Sequence, residues 1–117
     1  MAHYEIFHNP RCGKSRQTLA RLTDAGITPA IVEYLAEPPT ATRLQEILRL
    51  LGFTDPRALM RTKEPVYAEL GLAKVTDPKR LVAAMVANPI LIERPIVIKD
   101  GKRAVLGRPP ENVDALL

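Results

Sequence analysis

The sequence predicts an α/β fold in which a small mixed four-stranded sheet carries helices on its faces, a βαβ unit first and a ββα unit last, with a helical insertion between them. Three observations predict it. The first 35 residues read strand, helix, strand; the centre holds apolar residues at helical spacing; and after Asn88-Pro89 the pattern returns to strands around an Asp-Gly turn. A chain of 117 residues corresponds to one domain, 1–117, at roughly 100–200 residues per domain.

Tyr4-Glu5-Ile6-Phe7 is β-prone, His8 to Gly13 is punctuated as a turn by Asn-Pro and Gly, and Leu19, Leu22 and Ala25 follow at helical spacing until Gly26 stops the helix. Ile31-Val32-Glu33-Tyr34-Leu35 reads as the second strand. Two strands joined by one helix are parallel, with a right-handed crossover. Beyond Pro38-Pro39-Thr40, Leu44, Ile47, Leu48 and Leu51 lie at i, i+3, i+4 and i+7, and Gly52 closes the helix at C′. Asp55 to Leu72, interrupted by Pro56, Pro65 and Gly71, reads as short helical pieces. Asp77-Pro78 then supplies an N-cap and an N1 proline for a helix carrying Leu81, Ala84 and Met85. Arg94 to Ile98, Lys99-Asp100-Gly101-Lys102 and Arg103 to Leu106 form a hairpin, and Pro109-Pro110 opens a last short helix with Val113, Leu116 and Leu117 apolar. This order is that of a thioredoxin-like three-layer α/β/α fold with a helical insertion.

Composition narrows the function. Lys and Arg number 17 against 13 Asp and Glu, a formal +4, and the basic residues are scattered. Nucleic-acid binders concentrate charge on one stripe and interleave aromatics, which here are only 4% with no Trp, so small anionic ligands fit better. The one cysteine, Cys12, excludes an internal disulfide, argues against a Cys-based zinc cluster, and points to a reducing compartment. No apolar stretch is long enough to cross a bilayer; Leu81 to Ile92 is broken by Asn88 and Pro89. A cytoplasmic protein without membrane or nucleic-acid partners is expected.

Cys12 falls where the first strand turns into the first helix. Unpaired amides of a first helical turn, and the cations Arg11, Lys14 and Arg16, favour a thiolate there. A buried cysteine is usually a small hydrophobe, but one flanked by Pro-Arg and Gly-Lys-Ser-Arg is not placed like a core residue. His8 reads equally as a strand-end histidine bonded to backbone and as a partner or charge beside the thiol. Ser15 reads as the N-cap of the first helix and also as a donor to the sulfur. Asn9 reads first as a bond to turn backbone. Arg94 precedes Pro95, where a cis peptide would present its neighbour toward a site. Arg61 and Arg108, taken singly, read as surface charges.

Together, His8-Asn9-Pro10-Arg11-Cys12-Gly13-Lys14-Ser15-Arg16, Tyr34-Leu35, Arg57-Ala58-Leu59-Met60-Arg61, Glu64-Pro65-Val66-Tyr67, Asn88 to Val97 and Gly107-Arg108-Pro109-Pro110 closely resemble the glutaredoxin-coupled arsenate reductase family, in order and at family spacing. The resemblance implies a thioredoxin-like fold and catalysis by Cys12, with His8 and Ser15 tuning the thiol and Arg61, Arg94 and Arg108 holding the oxyanion. It also implies no bound cofactor, arsenate as substrate, glutathione and glutaredoxin as external reductants, and a monomer. Planar guanidinium forks suit a tetrahedral oxyanion because they bind its oxygens in pairs and keep their charge. Two other readings are a redox-sensing regulator that binds RNA polymerase, which typically needs Cys-x-x-Cys where this chain has Ser15, and a general glutathione-dependent thiol reductase, in which Arg61 and Arg108 have no evident task.

Overall fold

Strand β1 (Tyr4–Phe7) leads into helix α1 (Gly13–Asp24), which returns the chain to strand β2 (Ala30–Val32). The two strands pair in parallel, Ile6 opposite Ile31. Strands β3 (Ile96–Lys99) and β4 (Arg103–Leu106) form a hairpin, and β3 lies antiparallel to β1 with Ile6 opposite Val97. The sheet order is β2-β1-β3-β4, with β2 and β4 at its edges. Asp100 and Gly101 turn the hairpin with φ of 55° and 64°, a region in which Asp is tolerated and Gly is unstrained. The sheet and the helices around it are those of a thioredoxin-like α/β fold, here in a computed structural model that describes residues Ala2–Leu117.

Those residues divide into two compact units. The sheet unit takes the chain up to Glu37 and resumes at Arg94–Leu117. Its core joins Tyr4 and Ile6 of β1, Leu22 of α1 and Val97 of β3 to Val113 and Leu116 of a final 3₁₀ helix, Pro110–Leu116. Each fully buried aliphatic side chain there contributes about 1.5–3 kcal/mol of transfer free energy. The Tyr4 hydroxyl donates to the Leu116 carbonyl at 2.7 Å, so the final turn is fastened to the first strand.

The inserted unit, Pro38–Glu93, is helical. Helix α2 (Ala41–Leu51) is capped by Thr40, whose hydroxyl accepts from the Arg43 amide, and ends at Gly52 in the left-handed region, φ 75°. Short pieces follow at Pro56–Leu59, α3 (Pro65–Glu69) and Leu72–Lys74. Helix α4 (Pro78–Ala87) starts behind Asp77, whose carboxylate accepts from the Lys79 amide at 3.0 Å. Met60 and Ile92 form an isolated antiparallel bridge within this unit.

The structure corrects three sequence expectations. The second strand stops at Val32, because the Glu33 carbonyl accepts from both Ala36 and Glu37 and bends Tyr34-Leu35 into a turn. Tyr34 is buried in that turn, at 1% exposure. Arg94 and Pro95 precede β3 instead of opening it. Leu117, counted with the apolar residues of the last helix, lies past its end at Leu116 and is exposed.

Candidate active site

The chain from β1 to α1 makes one tight turn. The Cys12 amide donates to the Asn9 carbonyl at 3.0 Å, and the Asn9 side-chain oxygen accepts from the Arg11 amide at 3.0 Å, the backbone role expected of Asn9. Cys12 itself is the N-cap of α1, in extended conformation, and its carbonyl accepts from Arg16. The amides of the first helical turn are therefore left to the sulfur. Burial to 8% exposure opposes ionisation of Cys12. That cost is outweighed by the Ser15 backbone amide, by a hydrogen bond and positive charge from Arg94, and by the Lys14 amide, so the thiol lies below its ordinary range.

Ser15 is not the N-cap expected of it. It sits at the third helical position, fully buried, and its hydroxyl oxygen accepts from the Asn9 amide at 3.0 Å and pairs with His8 Nδ1 at 2.6 Å. The reason is geometric: with Cys12 extended, the helix begins at Gly13, and position 15 faces back toward the end of β1. His8, at 6% exposure, has Ser15 as its side-chain partner. Its desolvation, aided by Arg16 and opposed by Glu33, holds its pKa below the ordinary value and keeps the ring neutral at pH 7.

Arg94 and Arg108 belong to the same unit as Cys12. Arg94 is half-buried, its Nε and Nη1 withdrawn from solvent. Arg108 is exposed and donates to the Arg94 carbonyl at 3.4 Å. Both Arg94-Pro95 and Arg108-Pro109 are cis. Between them Gly107 donates to the Pro95 carbonyl at 2.8 Å. A side chain at Gly107 would meet Thr18 Oγ1 at 2.6 Å and Pro95 Cγ at 2.8 Å, so only glycine brings the Arg108 backbone this close.

Arg61 lies in the inserted unit, between two carboxylates: Nε donates to Glu64 at 3.0 Å and Nη1 to Glu93 at 3.0 Å. Sequence reading singled out Arg61 but not these partners. Glu64 was detectable, since it follows Arg61 by three residues in a turn, whereas Glu93 is brought there by the Met60–Ile92 bridge. Thr18, against Gly107, left no sequence signal.

The profile of the ArsC family matches residues 7–116. An arsenate reductase of Neisseria meningitidis serogroup A is 46% identical over 118 aligned positions, covering all of both chains. An Escherichia coli protein, YfgD, described as uncharacterized, is 50% identical over 110 residues, 93% of this chain and 92% of its own. The solved structure of an arsenate reductase from Vibrio cholerae superposes with a TM-score of 0.94 at 45% identity, over 98% of each chain. Sequence, fold and the setting of the lone cysteine agree: the chain belongs to the ArsC family.

Proposed function

We propose that the protein is an arsenate reductase that draws its electrons from glutathione and glutaredoxin in a reducing cytoplasm, acting as a monomer. The observation that carries this is the single thiol of the chain, held toward its anion by two helix amides and a guanidinium. A thiolate so placed is a nucleophile at neutral pH, and the guanidinium beside it draws an oxyanion to the same point.

The Cys12 sulfur attacks As(V) and one water leaves, giving a Cys12-S-arsenate ester. A glutathione thiol replaces a second hydroxyl, again releasing water. The glutaredoxin thiol then takes the glutathionyl sulfur as a mixed disulfide, and the electron pair of the broken As–S bond stays on arsenic as As(III). Hydrolysis frees arsenite and restores the Cys12 thiol. The sum is arsenate plus two thiols giving arsenite, one disulfide and one water. With one cysteine, both electrons must come from outside the chain. Arg94 serves thiol and oxyanion alike, Arg108 of the same unit binds a further oxygen, and the His8–Ser15 pair keeps the Cys12 loop in place; an oxyanion role for Arg61 rests on the family resemblance alone.

The test is a coupled assay with arsenate, glutathione and glutaredoxin, with Cys12→Ser as control. Arsenate-dependent turnover that the control lacks supports the reading. Turnover of a mixed disulfide without any effect of arsenate would make the protein a general thiol reductase, and stable co-purification with RNA polymerase would make it a regulator.

A further inference from the structure

Thr18 stands in the second turn of α1, in the unit that holds Cys12, and is fully buried. Its hydroxyl donates to the Lys14 carbonyl at 2.9 Å and lies 3.4 Å from the Gly107 carbonyl. A helical threonine can return its hydroxyl to the carbonyl four residues back, and its χ1 divides between two wells. Here packing makes the choice. A Cβ on Gly107 would stand 2.6 Å from Oγ1 and 3.0 Å from Cγ2, so both branches of the Thr18 side chain abut that glycine. Gly107 is itself held, its amide donating to the Pro95 carbonyl at 2.8 Å.

The Lys14 carbonyl and the Ser15 amide are the two ends of one peptide group. With Cys12 as N-cap and Gly13 as first residue, the Ser15 amide is the third of α1, one of those that point back at the side chain of the N-cap residue. Against the cost of burial, it is the first of the bonds that favour the Cys12 thiolate; the bond and charge of Arg94, from the segment before β3, come next, and then the Lys14 amide. A hydrogen bond received by a peptide carbonyl polarises the group and makes the N–H at its other end a stronger donor, by about 10–30%.

We propose that Thr18 is a positioning residue for the Cys12 thiolate: its hydroxyl, seated by Gly107, holds and polarises the Lys14–Ser15 peptide group whose amide faces the sulfur. This role rests on the reading of Cys12 as the reacting thiol. The hydroxyl is the operative group, and the methyl only fills space. Valine keeps the shape and loses the hydroxyl, alanine loses both branches, and serine keeps the hydroxyl alone.

The experiment follows alkylation of Cys12 by iodoacetamide, a small neutral reagent, on both sides of its pH midpoint, with thermal melting as the folding check. In Thr18→Val and Thr18→Ala the rate falls about twofold at a fixed pH below the midpoint, where it reports the thiolate fraction; this is the scale of one charge-assisted bond so weakened. Above the midpoint, where the thiol is fully ionised, the rate is unchanged. Thr18→Ser keeps the wild-type rate at both. Arsenate kcat/KM below the midpoint falls by the same factor in the Val and Ala variants. Should Thr18→Val not fold, Ala against Ser decides. Val and Ala variants that alkylate like wild type at every pH, or a loss equal on both sides of the midpoint, overturn the role of the hydroxyl. A Ser variant that loses as much as Ala makes Thr18 a packing residue and overturns it too. A wild-type midpoint at the ordinary thiol value overturns the thiolate reading and this role with it. Wild-type protein that alkylates as expected but leaves arsenate unreduced overturns the arsenate reading alone.

Discussion

Arg94 and Arg61 are the same side chain under opposite local electrostatics. In the sheet unit, Arg94 bonds the Cys12 sulfur, and the pair is a cation meeting one nascent anion. In the inserted unit, Arg61 meets two permanent carboxylates, which outweigh its burial and hold its pKa above the ordinary value. Arg94 thus does its work by altering its neighbour, since it stabilises a charge that thiols do not otherwise carry at pH 7. Arg61 is itself what is held, between Glu64 and Glu93. The neighbours of an arginine thus decide whether it changes the charge of a partner or is itself fixed in place.

The largest effect that separates the two units is loss of the sulfur. Cys12→Ser should abolish arsenate turnover while melting close to wild type, because a serine keeps the size and is a far weaker nucleophile at neutral pH; retained turnover would move the chemistry elsewhere. Next is Arg94→Lys, which keeps charge and loses the planar fork. Each charge-assisted bond lost costs about 1.5–3 kcal/mol, so kcat/KM for arsenate should fall at least about tenfold. The same variant should raise the pH midpoint of Cys12 alkylation. The wild-type midpoint lies below the usual thiol value, with the rate falling as pH drops through it and the thiolate is protonated. Arg61→Lys should leave that midpoint where it is, which sharpens the contrast, and an equal shift in both variants would erase it.

A smaller effect, confined to the sheet unit, concerns Gly107→Ala. Its new methyl group meets Thr18 and Pro95 inside contact distance, which should lower stability by about 1–3 kcal/mol, read from chemical denaturation. Smallest is the pH response of His8. Its folded pKa is depressed, so as pH falls through about 6.5 the unfolded chain takes up a proton that the native ring resists, and stability drops. His8→Gln should show a smaller loss of melting temperature between pH 7.5 and 5.5 than wild type.

Much of this frame is legible in the sequence because it is local. The Asp-Gly turn, the Asp77 cap and Gly52 act within a few residues of themselves, and each lies where its spacing says. The end of β2 was not legible, since Tyr34-Leu35 have strand propensity and only the Glu33 carbonyl, taken by two later amides, decides for a turn. The setting of Cys12 was half legible: the helix start and its amides follow from the turn residues, but Arg94 reaches the sulfur from 82 positions away. Ser15 was misplaced by a shift of three in the cap, which exchanged a helix amide for His8. The companions of Arg61 depend on a single bridge, Met60 to Ile92, whose register no periodicity announces.

The brevity of β2 governs how the protein tolerates being concentrated. An outer strand with unsatisfied amides and carbonyls is a template on which another chain can extend the sheet. Here that template is three residues long, entered from Pro29, which has no N–H to offer, and left through the Glu33 turn. It carries an exposed Ile31 that would otherwise invite such pairing. A strand continuing through Leu35, as its side chains alone would allow, would double the length open to a neighbour. The turn at Glu33 thus acts as a stop against sheet-to-sheet aggregation.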